Sequence, residues 1–103
     1  MRVTLSDEGE GWPQGAPAFS GSVIGEVPDL IEGRFLKVQF DKPVRVYGRG
    51  LVSGVWIKEH FRGQVVGSEP WVSVYTWLVA ARSGWGEPPN CLPDLWARCE
   101  VTD

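Results

Sequence analysis

The chain is short of the side chains from which most enzyme chemistry is assembled. Its 103 residues include one histidine, His60, and two cysteines, Cys91 and Cys99. A lone imidazole, with no carboxylate pair at ligand spacing, leaves the usual tetrahedral metal sites without a ligand set. Two cysteines with seven residues between them match neither a zinc knuckle nor a CxxC redox pair. They are expected as free thiols in a reducing compartment, with a disulfide across the short loop as the alternative. No serine sits in a G-x-S-x-G elbow, and "GRG" at 48–50 lacks the G-K-[ST] ending and the following helix of a phosphate loop. No catalytic residue, metal or cofactor is therefore expected, and a small enzyme is the least supported reading.

Long apolar runs are missing too. Nothing approaches the ~20 consecutive apolar residues of a membrane helix, and the opening "MRVTLSDEGEG" has no apolar segment of the secretory kind. The expectation is a soluble, cytoplasmic chain with no membrane contact. Basic residues are outnumbered, with a net charge of −3 and a pI near 5.1, so a general nucleic-acid binder is not favoured.

What the chain has in quantity is tryptophan (six), glycine (13) and proline (eight), in a sequence 43% apolar. That is ample for one core and one domain over 1–103. The net charge hides a segregation. Residues 1–33 hold one arginine against six acids, 34–62 hold seven basic groups against two acids, and 63–103 carry a balance of −3. Acidic flanks folded over a basic middle are the ordinary outcome of such a pattern; a basic patch for an anionic partner is the sharper one.

Residues 6–21, "SDEGEGWPQGAPAFSG", read as a Gly/Pro-rich loop or mobile arm after a first strand near Val3 to Leu5, with Trp12 and Phe19 available to pin it. Beyond it, β-branched and aromatic runs are cut by Gly, Pro or Asp at roughly eight- to twelve-residue spacing, the signature of antiparallel β structure. In "RFLKVQFD", Leu36, Val38 and Phe40 alternate with Lys37, Gln39 and Asp41. "DKP" is expected to turn that strand into "VRVYG", and "GRG" to turn again into "LVSGVWIKEHFRG", a three-stranded meander. "WVSVYTWLVAA" is the longest β-prone run. "SGWGEPPN" cannot be helix or central strand, and its prolines are too few for a peptide motif. In "LWARCEV" the alternation of Leu95, Ala97, Cys99 and Val101 favours a strand over a helix. The class is all-β and mainly antiparallel, a small barrel (SH3-like or OB-like) or a compact sandwich of five to seven short strands.

Two constellations stand out. In "VWIKEHFRG" the strand period puts Val55, Ile57 and Phe61 on one face and Trp56, Lys58, His60 and Arg62 on the other. His60 thus belongs to a cationic row with Lys58 and Arg62 rather than to a catalytic cluster. Glu59 falls on the apolar face, so the strand is expected to end, fray or bulge there. In "WVSVYTWLV" one face carries Trp71, Tyr75 and Trp77, and the other is aliphatic. An aromatic face of that size is covered by its own chain (the N-terminal arm or C-terminal tail), by a second copy, or by a ligand. These residues imply a binding module for a protein partner or a homodimer, with Trp71, Tyr75 and Trp77 as anchors and Lys58, His60 and Arg62 as a charged rim. Carbohydrate or single-stranded nucleic acid stacked on the aromatic row is the alternative.

Overall fold

Strands with one face to bury can bury it against one another by closing a ring, and six of them do so in the computed structural model. It describes residues 1–7, 18–29, 33–46, 48–59 and 71–101. The strands are β1 (Arg2–Asp7), β2 (Phe19–Pro28), β3 (Arg34–Val46), β4 (Gly50–Glu59), β5 (Trp71–Ala80) and β6 (Leu95–Val101). Each pairs antiparallel with the next, and β1 pairs with β6 through Val3 opposite Val101, so the sheet is a closed barrel. The all-β antiparallel class holds, and closure selects the barrel over the sandwich.

The interior is filled by the alternation visible in the sequence. Val3 and Leu5 of β1, Phe19 of β2, Leu36, Val38 and Phe40 of β3, Val55 and Ile57 of β4, Val74 of β5, and Ala97 and Cys99 of β6 form one buried cluster. Phe19 and Phe40 meet at 4.9 Å between ring centroids. Cys99 is buried in that cluster while Cys91 is exposed, and both are free thiols. In β4 the inward positions change parity, from Val52 to Val55 and Ile57, because the β4–β5 register shifts between Val52 and Gly54. A β-bulge of this kind inserts one residue and returns the next side chains to the core.

"DKP" does not form the expected turn. β3 is one strand of 13 residues, and its register against β4 shifts between Gln39 and Val44, where five steps on β3 face two on β4. Pro43 lies within this irregularity, where no ladder N–H is required of it. The turn at "GRG" is real: Gly48 and Gly50 both have φ of 78°, open to glycine without strain, and the Arg49 N–H donates to Val46 O at 2.9 Å. At the other edge of the expected loop 6–21, β1 runs through Asp7 and β2 begins at Phe19, which is buried in the core; Trp12 lies outside the described residues. β4 is described as far as Glu59, and the residues that would show whether the strand ends, frays or bulges there lie outside the described ones.

The acidic flanks do meet the basic middle. Arg34 pairs with Glu26 at 2.6 Å, Arg49 with Asp94 at 2.5 Å, and Lys58 with Asp29. Arg2 grips Asp41 with two nitrogens, at 3.0 and 2.5 Å. The hydrogen bond from Arg2 holds the Asp41 carboxyl below its ordinary 3.8, helped by the positive charge and opposed by desolvation. A lowered carboxylate value means that the pair contributes at pH above the unfolded value and is lost as pH falls through the folded one. Arg2→Met is expected to raise the Asp41 titration midpoint, read from its side-chain carboxyl resonance; an unmoved midpoint would rule the pair out as the cause.

Candidate functional site

The outward face of β3, β4 and β5 carries a second apolar layer. Phe35, Trp56, Trp77 and Val79 form a second buried cluster, with Val27, Tyr75 and Trp85 packed against it. The register explains the assembly: Lys37 lies opposite Trp56, Trp56 opposite Trp77, Lys58 opposite Tyr75, and Tyr75 opposite Trp96. Aromatic rings therefore fall side by side on neighbouring strands, the arrangement in which cross-strand pairs contribute most. Phe35 meets Trp77 edge-on at 5.4 Å, and Tyr75 meets Trp96 at 6.0 Å. Two lysines complete the surface through their cationic ends, Lys37 Nζ at 5.4 Å from the Trp56 ring and Lys58 Nζ at 5.4 Å from Phe35.

Among the described residues this face is covered by the connection between β5 and β6; most of the N-terminal arm lies outside them. Residues 81–94 form a strap fastened at three places. Trp85 stands perpendicular to Trp56 at 5.6 Å. The Trp77 indole Nε1–H donates to Cys91 O at 3.0 Å. Asp94 closes the strap: its N–H donates to Thr76 O at 2.8 Å, and its carboxylate accepts from the Leu78 N–H at 2.8 Å and from Arg49. Asp94→Ala leaves the Leu78 amide without that acceptor and is expected to cost about 1–3 kcal/mol. Arg49→Ala removes only a half-exposed pair and should cost under ~1 kcal/mol. Urea unfolding of the two variants checks this, and equal losses would refute the assigned role of the carboxylate.

Between strap and barrel runs a groove of about 850 Å³. Val27, Pro28, Phe35 and Trp77 line its barrel side, and residues 87–91 form the opposite wall. Asp29 and Lys58, paired with each other, stand in its lining. The sequence-predicted residues divide accordingly. Trp77 is in the groove wall and 9% exposed, Tyr75 is half-buried beside it at 6.3 Å between rings, and Lys58 is in the lining. Trp71 opens β5 opposite Glu100. His60 and Arg62 lie outside the described residues.

Sequence reasoning passed over Phe35, Trp85 and the strap prolines. A signal existed for Phe35, which falls on the polar side of the alternation in "RFLKVQFD", in line with Lys37. An apolar residue on an outward face beside Trp56 and Trp77 marks a second packing layer. None exists for the strap, because nothing local says that "SGWGEPPN" folds back over β4 and β5.

Among the described residues no group of three or more His, Cys, Asp or Glu could hold a metal, and no helix is long and apolar enough to cross a membrane. No protein-family model, curated protein or solved structure matches the chain. What the structure establishes is a small closed β-barrel with an aromatic cluster on its outer face.

Proposed function

We propose that the barrel is a protein-interaction module and that a segment of its partner lies in the groove between the strap and the outer face. The observation that carries this reading is the groove itself: about 850 Å³, in the size range of ligand sites, with aromatic rings on one side and adjacent prolines on the other. Flat rings and prolines give contact area with little conformational entropy to lose, which is why such residues anchor bound polypeptide. Leu92, next in the chain to the lining residue Cys91, is 88% exposed, and Trp96, next to Tyr75 across the ladder, is 43% exposed. Both extend apolar surface beyond the groove.

The rival readings have less support. A second copy would bring a further charge of −3 to a chain that already carries it. A phosphate-led mode is weakened because Arg34, Arg49 and Lys58 are each engaged by a carboxylate.

Selection of a displayed random-peptide library on the immobilised protein tests the proposal. Binders are expected to shift the Trp77 indole N–H resonance. Asn90→Trp, at an exposed lining position, should fill the groove and weaken them about tenfold, ~1.4 kcal/mol. Failure to enrich any peptide, or binders that leave Trp77 unmoved, would refute it.

A further inference from the structure

The charges in the groove lining narrow the partner further, an inference that rests on the peptide reading above. Of the lining residues three are charged: Asp29, Lys58 and Glu87. Lys58 is the single cation, and it is committed. Its ammonium pairs with Asp29 and lies over the Phe35 ring, with the lysine 23% and the aspartate 17% exposed at their side chains. That pair cancels itself. Glu87 is exposed and has no partner among the described residues, so of the charged lining residues the one left over is negative.

The position of Glu87 is also constrained. Pro88 and Pro89 fix their own φ angles near −65°, and the ring of Pro88 disfavours the helical region for the residue before it. Glu87 stands at a bend directly before these prolines, in the same groove lining as Trp77 and Phe35. Phe35 already lies under the Lys58 ammonium, so the rings offer apolar contact and Glu87 the charge. An unpaired carboxylate in a groove with an aromatic lining suits a long side chain with an apolar stem and a positive end.

We infer that the partner segment carries a lysine or arginine beside proline or other apolar residues, with the apolar part in the groove and the cation at Glu87. The acidic balance of the flanking sequence favours the same sign of partner at longer range and disfavours an acidic one.

The peptides enriched by the library supply the test. Lysine or arginine should be over-represented among them relative to aspartate and glutamate, with an apolar residue or proline as neighbour. Replacing that basic residue in a synthetic copy of the best binder by glutamine should weaken it about fivefold, the scale of one exposed ion pair. Glu87→Lys should weaken the original peptide about tenfold or more and should erase the difference between the basic and glutamine peptides. Glu87→Gln, milder and exposed, gives the same ranking should the lysine variant fold poorly. Raising salt to 0.5 M should also narrow the gap, because exposed charges are screened at that strength. Enriched peptides with no basic bias, or a basic preference that survives both Glu87 variants, would overturn the inference while leaving the groove as a peptide site. Failure of any peptide to reach Trp77 would instead remove the reading beneath it.

Discussion

Trp56→Ala is expected to destabilise the protein by about 3–5 kcal/mol, the range for deleting a large buried aromatic side chain. Trp56 is 3% exposed, yet it points outward from the barrel, so its burial depends wholly on the second cluster. Its ring contacts Phe35 at 6.0 Å and Trp85 at 5.6 Å, with Lys37 above it. Truncation opens a cavity between barrel and strap and removes the surface on which Trp85 rests. A domain of this size has only about 5–15 kcal/mol in total, and each kcal/mol moves its melting temperature by about 4–8 °C. A fall of about 12 °C or more in thermal unfolding is therefore expected. Amide exchange in residues 84–93 should accelerate more than in β1, on the far side of the ring. A fall of less than ~4 °C would show that the outer cluster is ornament to a barrel stabilised by its interior alone.

The second large effect concerns a residue with no side chain. A Cβ added at Gly54 would lie 2.4 Å from Val38 O and 2.9 Å from Trp85 Cη2. The first of these is backbone in the neighbouring strand and cannot rotate away, so β3 and β4 must separate and Trp85 must lift. Gly54→Ala is expected to cost about 3 kcal/mol or more, at or above the upper end of ordinary overpacking. Gly25→Ala is the control: it also lies in a strand beside a bulge, but its nearest neighbour would be Lys37 Cδ at 3.9 Å. That change should be neutral or stabilising by up to ~1 kcal/mol, through the narrower unfolded ensemble. Denaturant midpoints of the two alanine variants decide the matter. Equal midpoints would mean that strand glycines here act through flexibility rather than close approach.

The contrast between these glycines marks where the sequence is legible. Period-two alternation placed Leu36, Val38, Phe40, Val55, Ile57 and the Leu95-to-Val101 series on their inward faces, because side-chain direction along a strand is a local property. The same period put Trp56 and Lys58 on one outward row and Tyr75 and Trp77 on another. Bulges were not legible, since they depend on how two strands meet. "DKP" has every local mark of a turn, and only the pairing of Val44 with Val52 keeps β3 continuous through it. The strap was invisible for a similar reason: its three fastenings reach Trp56, Trp77 and Thr76, and none follows from the composition of 81–94. Half of the candidate site could be read from strand faces; the other wall is a tertiary fact.

The closure of the ring between Val3 and Val101 bears on how the chain comes to be folded. Of the six strands of the barrel, the two that meet there are the first and the last in chain order. Until 95–101 have emerged, β1 and β5 are open edges, each presenting unpaired backbone to any other strand nearby. Long-range pairing of this kind is slow relative to local hairpins, so the seam is expected to be the last part of the barrel to form. During synthesis, the exposed partners of that seam are where misassociation between neighbouring chains would begin.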